Sequence, residues 1–95
     1  MRAVGTIRKK PTEEFPIGFR YRDPDLPTGV TISSVIVTIA PATLTLGTNG
    51  VMPDGTEVYA WISGGTDLAD YVVRFTSTLS DAKILVDDYA VKVRN

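Results

Sequence analysis

The chain has 95 residues, of which 43% are hydrophobic and 22% charged, a composition that predicts one folded domain over residues 1–95. Its net charge of −1 excludes the positive field that a nucleic-acid backbone requires, and no apolar run approaches the roughly 18 residues of a membrane-spanning helix. Because Cys and His are absent, disulfides, Cys-His and Ser-His nucleophile pairs and most transition-metal sites are excluded, and we expect neither an enzyme nor a cofactor.

The first twelve residues form a short mixed segment with a basic end. We expect residues 1–12 to be an N-terminal arm or an edge strand. One interpretation makes this segment a contact surface for a partner, and the other makes it a frayed edge with solvated charges. Its basic residues are Arg2, Arg8, Lys9 and Lys10.

Residues 15–21 alternate apolar with polar or small side chains, which is the period of a strand buried on one face. Pro16 cannot donate a hydrogen bond to a ladder, so we expect this strand at a sheet edge or beside a bulge. The next strand, residues 30–40, is rich in β-branched residues. Ile32 is out of phase with the later inward positions, and a bulge at the two following serines would reconcile them.

The remainder of the chain predicts further short strands separated by turns. In the last strand we expect the inward phase to change at Asp87 and Asp88. The pattern of about seven short strands, with no segment of helical period, predicts an all-β fold that is a two-sheet antiparallel β-sandwich. The remaining strands are predicted at residues 44–46, 57–62, 71–78 and 84–93, with turns at 47–50, 53–55, 64–67 and 80–81.

Acidic residues occur in local pairs, and a paired-carboxylate hydrolase would need two of them in one cleft with different pKa values. Calcium would need a regular series of oxygen ligands, which the chain lacks. Acids beside turns ordinarily cap backbone amides and are solvated, so we expect no catalytic residue and no metal site. The pairs are Glu13 with Glu14, Asp23 with Asp25, Asp67 with Asp70, and Asp87 with Asp88.

The strand at 57–62 is apolar on both faces, so one set of its alternating residues has to point away from a one-sided core. If the aliphatic set is inside, Tyr59 and Trp61 form an exposed aromatic pair, which protein interfaces favour. In the other interpretation Trp61 is a core residue and Tyr59 is half covered by its neighbours. The candidate interface residues are therefore Tyr59, Trp61, Arg8, Lys9 and Lys10.

Four stretches carry a family resemblance: Gly29–Val35, Val58–Thr66, Asp70–Val73 and Val91–Val93. They resemble a group of small immunoglobulin-like proteins encoded among the structural genes of tailed bacteriophages. The most specific part is the Ser-Gly-Gly-Thr turn that precedes the Tyr-led strand, whereas residues 79–83 depart from the Gly-containing hairpin usual in that family. The resemblance implies an immunoglobulin-like β-sandwich and a virion structural protein made in the host cytoplasm.

The leading hypothesis for function is a non-enzymatic decoration or cement protein that binds the major capsid protein. One alternative is a neck or tail component, such as a head–tail connector or baseplate protein, with neck or tail proteins as partners. A second alternative is a carbohydrate- or host-surface-binding module whose exposed aromatics stack on sugars. Copies of the chain are also candidate partners for one another in the assembled particle, while nucleic acid and membrane are not expected partners.

Overall fold

The computed structural model describes residues 2–21, 26–41 and 43–95. This part of the chain forms seven strands and no helix, and so contains no helix that could cross a membrane. The predicted acidic pair of Asp23 and Asp25 lies outside the described residues, as does the side chain of Arg2. The strands are β1 (Arg2–Lys9), β2 (Glu14–Arg20), β3 (Ile32–Ala40), β4 (Leu44–Val51), β5 (Glu57–Gly64), β6 (Asp70–Leu79) and β7 (Ile84–Val93).

The strands form two sheets, one of four strands in the order β1-β7-β6-β3 and one of three in the order β2-β5-β4. The prediction of an all-β fold with two sheets is confirmed. The expectation of a wholly antiparallel sandwich is wrong for one pair, because β1 runs parallel to β7. Only strands joined by a tight hairpin are forced to be antiparallel, and these two strands lie at opposite ends of the chain.

The core lies between the sheets and is built by alternation along each strand. In β5 the aliphatic residues Val58, Ala60 and Ile62 are fully buried. Across the core, Phe75 of β6 packs edge-to-face against Phe19 of β2, with ring centroids 5.2 Å apart. Each sheet therefore covers the inner face of the other and leaves its own outer face available.

Three strand pairings of the described residues contain a bulge or irregularity, the first of them between Ala3 and Gly5 of β1, and the sequence predicted one of the three. The bulge after Ile32 is confirmed, since the register of β3 with β6 shifts between Ile32 and Ser34. The turn predicted at residues 47–50 is wrong. Strand β4 continues through this stretch and absorbs it as an irregularity in its pairing with β5, between Leu46 and Asn49.

The expected change of phase in β7 is also wrong. The pairing of β7 with β6 is continuous from Ile84 to Lys92, so Asp87 points into the core and is fully buried. The Tyr21 hydroxyl donates a hydrogen bond to Asp87 Oδ2 at 2.6 Å and lies 3.0 Å from Ser77 Oγ. Hydrogen bonding of this kind makes an inward carboxylate tolerable.

Candidate partner-binding surface

The outer face of the three-stranded sheet carries two aromatic side chains on its central strand. Because the aliphatic residues of β5 face the core, Tyr59 and Trp61 point outward. The outward orientation in the first interpretation of this strand is therefore the one the structure shows, while the partial cover of Tyr59 agrees with the second. Trp61 is 39% exposed, while Tyr59 is half-buried. We call this surface the aromatic face.

The strands on either side offer little cover to these rings. On β2, Pro16 is opposite Trp61 and Gly18 is opposite Tyr59. On β4, Gly50 is opposite Tyr59, and a Cβ placed on Gly47 would lie 3.3 Å from the Trp61 Cβ. Gly18 is required by close packing, because a Cβ there would collide with the Val58 carbonyl oxygen. The two rings thus rise above neighbours that have small or no side chains.

This arrangement leaves a groove of about 400 Å³ beside the two rings. Its volume is at the lower end of the range for ligand-binding sites. We call it the aromatic groove. Most of its wall is apolar, with an acidic group at one end. Its lining residues are Pro16, Ile17, Gly18, Met52, Glu57, Tyr59 and Trp61.

An ion cluster closes the acidic end of the groove. Arg20 Nη2 lies 3.1 Å from Asp54 Oδ2 and 3.1 Å from Glu57 Oε1. The backbone N–H of Thr56 donates to Asp54 Oδ1, and this bond, with a smaller effect of Arg20, lowers the pKa of Asp54. The cluster is solvent-exposed, so its contribution to stability is small.

The outer face of the four-stranded sheet presents a second set of exposed apolar side chains, and we call it the opposite face. Ile36 of β3, Val72 of β6 and Ile84 of β7 are 65%, 40% and 63% exposed. Between them Arg74 Nε donates to Asp88 Oδ1 at 2.9 Å, and this hydrogen bond raises the pKa of Arg74. The molecule therefore has exposed apolar surface on both sides of its core.

The structure separates the basic residues near the N-terminus. Arg8 and Lys10 are exposed, whereas Lys9 is buried. Arg8 lies on the edge strand of the four-stranded sheet and Trp61 on the other sheet. The candidate residues selected from the sequence therefore do not form one continuous site, and Lys9 contributes no exposed charge to either surface.

Lys9 instead belongs to a polar cluster that the sequence did not indicate. Its Nζ donates to the carbonyl oxygens of Lys10 and Gly64. Desolvation lowers the pKa of Lys9, and electrostatic attraction to Glu13 and Tyr71 opposes this effect. The Tyr71 hydroxyl accepts the N–H of Thr66 at 2.8 Å. Alternation along β1 is the sequence signal that could have indicated the burial of Lys9, since Ile7 and Lys9 are two residues apart and both point inward.

Several acidic residues of the predicted pairs have structural partners. Asp67 Oδ1 accepts the backbone N–H of Asn95, Asp70 pairs with Arg94 at 2.8 Å, and Glu13 accepts the N–H of Lys10. Within the described residues, His, Cys, Asp and Glu form no group of three or more that could hold a metal ion. These carboxylates cap backbone groups or pair with nearby cations.

Nearly the whole chain matches a known protein family. Residues 9–94 match the family model described as podophage GP4 fiber-tail adaptor protein gp77. The match contains β2 to β7 completely, whereas only the last residue of β1 falls within it. Among curated proteins, no sequence matches the chain.

Proposed function

The chain belongs to the podophage GP4 fiber-tail adaptor family, and on this premise we propose that it joins a fibre to the tail of a podophage particle. The family match is the observation that carries the proposal. The outer faces of the two sheets supply surfaces on which such a connection can be made. The partners of this function are tail proteins and fibre proteins.

Membership of this family makes the chain a structural protein of a tailed phage and a component of the virion. The earlier resemblance to small phage structural proteins is thus confirmed. The leading hypothesis of capsid decoration finds no support in an adaptor family, and neither does the major capsid protein as partner. The neck or tail alternative fits better.

An adaptor has to hold two partners at once, and the sandwich offers two surfaces that do not overlap. Trp61 and Met52 are exposed on the aromatic face, and Ile36, Val72 and Ile84 on the opposite face. Exposed large apolar side chains grouped on a face are typical of protein contact sites. We assign one partner to each face.

The first test is the copy number of the protein in purified particles. Quantitative mass spectrometry, with the major capsid protein as reference, should find a low copy number, about six to twelve, as we expect of a closed ring around one tail. The copies should remain with tails after the heads are removed. Hundreds of copies per particle, or copies that remain with the heads, would contradict the adaptor function.

The second test determines which partner binds to which face. Trp61→Ala and Ile36→Ser each truncate an exposed side chain and should leave the fold intact. Trp61→Ala should weaken binding to one partner by at least about tenfold, as at interface hot spots, and Ile36→Ser should weaken binding to the other partner. Binding of purified tails and fibres to each variant measures this, with Lys83→Ala in the exposed β6–β7 turn as control. Loss of the same partner in both variants would refute the assignment.

A further inference from the structure

The aromatic groove is open on its β2 side. The Tyr59 ring lies toward β4, since a Cβ placed on Gly50 would be 3.7 Å from the Tyr59 hydroxyl. On the other side, Tyr59 is opposite Gly18 and Trp61 is opposite Pro16. No long side chain projects between the aromatic rings and solvent at these two positions, so a ligand can reach the ring surfaces from the β2 side.

The charge around the groove is negative. Among the described residues that line it, Glu57 is the one that carries a charge. Asp54 stands at the same end, and the single guanidinium of Arg20 lies between these two carboxylates. One positive and two negative groups leave this cluster with a net charge of −1.

Aromatic ring faces and carboxylates both attract cations. A Lys or Arg side chain is attracted to the face of a Trp or Tyr ring by the ring quadrupole, and a nearby carboxylate adds direct Coulomb attraction. A long basic side chain also has an apolar stem, which suits a groove with mostly apolar walls. The groove therefore combines the features that recognise a basic side chain.

We propose that the aromatic groove binds an extended protein segment and receives an Arg or Lys side chain of that segment over Tyr59 and Trp61. The charged head of this side chain lies at Glu57. The inference rests on the proposed adaptor function, in which the segment belongs to a tail or fibre protein. It adds to that function the chemical character of one partner.

Arg20 shows how the head group would be held. Its guanidinium interacts with Asp54 and Glu57 at 3.1 Å each, and its side chain is 51% exposed. An incoming cation competes with Arg20 for the same carboxylates. Removal of the Arg20 charge should therefore strengthen binding rather than weaken it.

The test uses the fluorescence of Trp61, which is the one tryptophan in the sequence. The probes are acetyl-Gly-Arg-Gly-amide and the same peptide with citrulline, which keeps the shape of arginine without its charge. We expect a saturable fluorescence change with the arginine peptide that weakens as salt is added. The citrulline peptide should bind at least about threefold more weakly, within the range measured for exposed ion pairs.

Three variants identify the groups involved. Glu57→Gln should weaken binding of the arginine peptide by up to about fivefold, and Arg20→Gln should strengthen it by up to about fivefold. Glu14→Gln is the matched control, because Glu14 lies on the same face but does not line the groove, and its effect should be within about twofold. Far-UV circular dichroism checks that each variant is folded.

Three results would overturn the inference. They are equal binding of the two peptides, an affinity unchanged by Glu57→Gln, and a fluorescence response to maltotriose with none to the arginine peptide. The last would assign the groove to sugar stacking. None of these results alters the copy number in particles, so the inference can fail while the adaptor function stands. Copies associated with heads would instead refute the adaptor function, and with it the assignment of the segment to a tail or fibre protein, while binding of the arginine peptide in the groove would stand.

Discussion

Lys9 holds the end of β1 against the three-stranded sheet. Its Nζ donates hydrogen bonds to the backbone oxygens of Lys10 and Gly64 at 2.7 and 2.6 Å, and the residue is 1% exposed. Gly64 is the last residue of β5. The side chain therefore links the edge strand of one sheet to the central strand of the other.

We predict that Lys9→Met destabilises the protein by about 1–3 kcal/mol. Methionine fills a similar volume but donates no hydrogen bond, so the Gly64 carbonyl oxygen loses the Lys9 Nζ donor and the Lys10 carbonyl oxygen keeps only the N–H of Glu13. The loss of buried hydrogen bonds carries a penalty of this size. The measurement is the free energy of unfolding in urea. Lys10→Met removes a neighbouring exposed lysine and should change stability by less than about 0.5 kcal/mol. Equal effects of the two substitutions would contradict the role given to Lys9.

Single residues differ in how far the sequence predicts them. Alternation along β5 allowed two orientations, with either the aliphatic residues or Tyr59 and Trp61 facing the core. The sequence could not distinguish these orientations because both sides of β5 are apolar. Lys9 was placed with the exposed basic residues because composition alone does not report burial. The close approach that requires Gly18 is a matter of interstrand distance, which no residue pattern reports.

At the level of strands, the parallel pairing of β1 with β7 is the feature that the alternation pattern could not give. Alternation identifies which residues face inward but carries no information on strand direction. The register pairs Thr6 with Ala90 and Arg8 with Lys92. Strand β1 is thus placed alongside the last strand by a contact between the two ends of the chain.

We predict that Thr6→Cys with Ala90→Cys forms an intramolecular disulfide. Neighbouring strands are about 4.8 Å apart, within the Cα range of a disulfide, and the sequence contains no other cysteine. The cross-link should stabilise the protein by about 2–4 kcal/mol, measured by thermal unfolding with and without reductant.

The control is Thr6→Cys with Lys92→Cys, which moves one partner two residues along the strand. The Cα separation then becomes about 8 Å, beyond the usual disulfide range. This pair should stay reduced under mild oxidation. Faster cross-linking in the control than in the matched pair would show that the register is different.

Other strands show where local patterns succeed and fail. The β3 bulge was predictable because the aliphatic residues on both sides of it define two phases. Strand β4 continues through a Gly-Thr-Asn-Gly stretch whose composition suits a turn equally well. In β7 the acidic residue Asp87 occupies an inward position and interrupts the alternation of apolar residues. The sequence pattern therefore suggested that the inward side of the strand changes there, which it does not.

For the molecule as a whole, the sequence predicted the fold class more completely than the place in the virion. Strand period and turn spacing determine the number and type of elements. The choice between head and tail depends on which surfaces fit which partners, and outward residues such as Trp61 and Ile36 are free of the constraints of the core. The family match supplied what the pattern of this chain could not.

The parallel pair of β1 and β7 has a mechanical consequence for the adaptor function that we propose. The pair begins with Arg2 opposite Asp87 and ends with Lys9 opposite Val93. If Arg2 and Val93 are pulled apart, the force acts along both strands and is shared by the hydrogen bonds between them at once. A pull across the sheet, from Arg8 on β1 to Thr38 on β3, instead separates the strands one pair at a time.

Single-molecule stretching through cysteines introduced at these positions should therefore give a higher unfolding force along the strands than across the sheet. Similar forces in the two directions would show that the β1–β7 pair does not limit mechanical unfolding. A higher force along the strands would mean that the mechanical resistance of the protein depends on the direction of the pull. It would resist tension best when its partners pull along the β1–β7 axis.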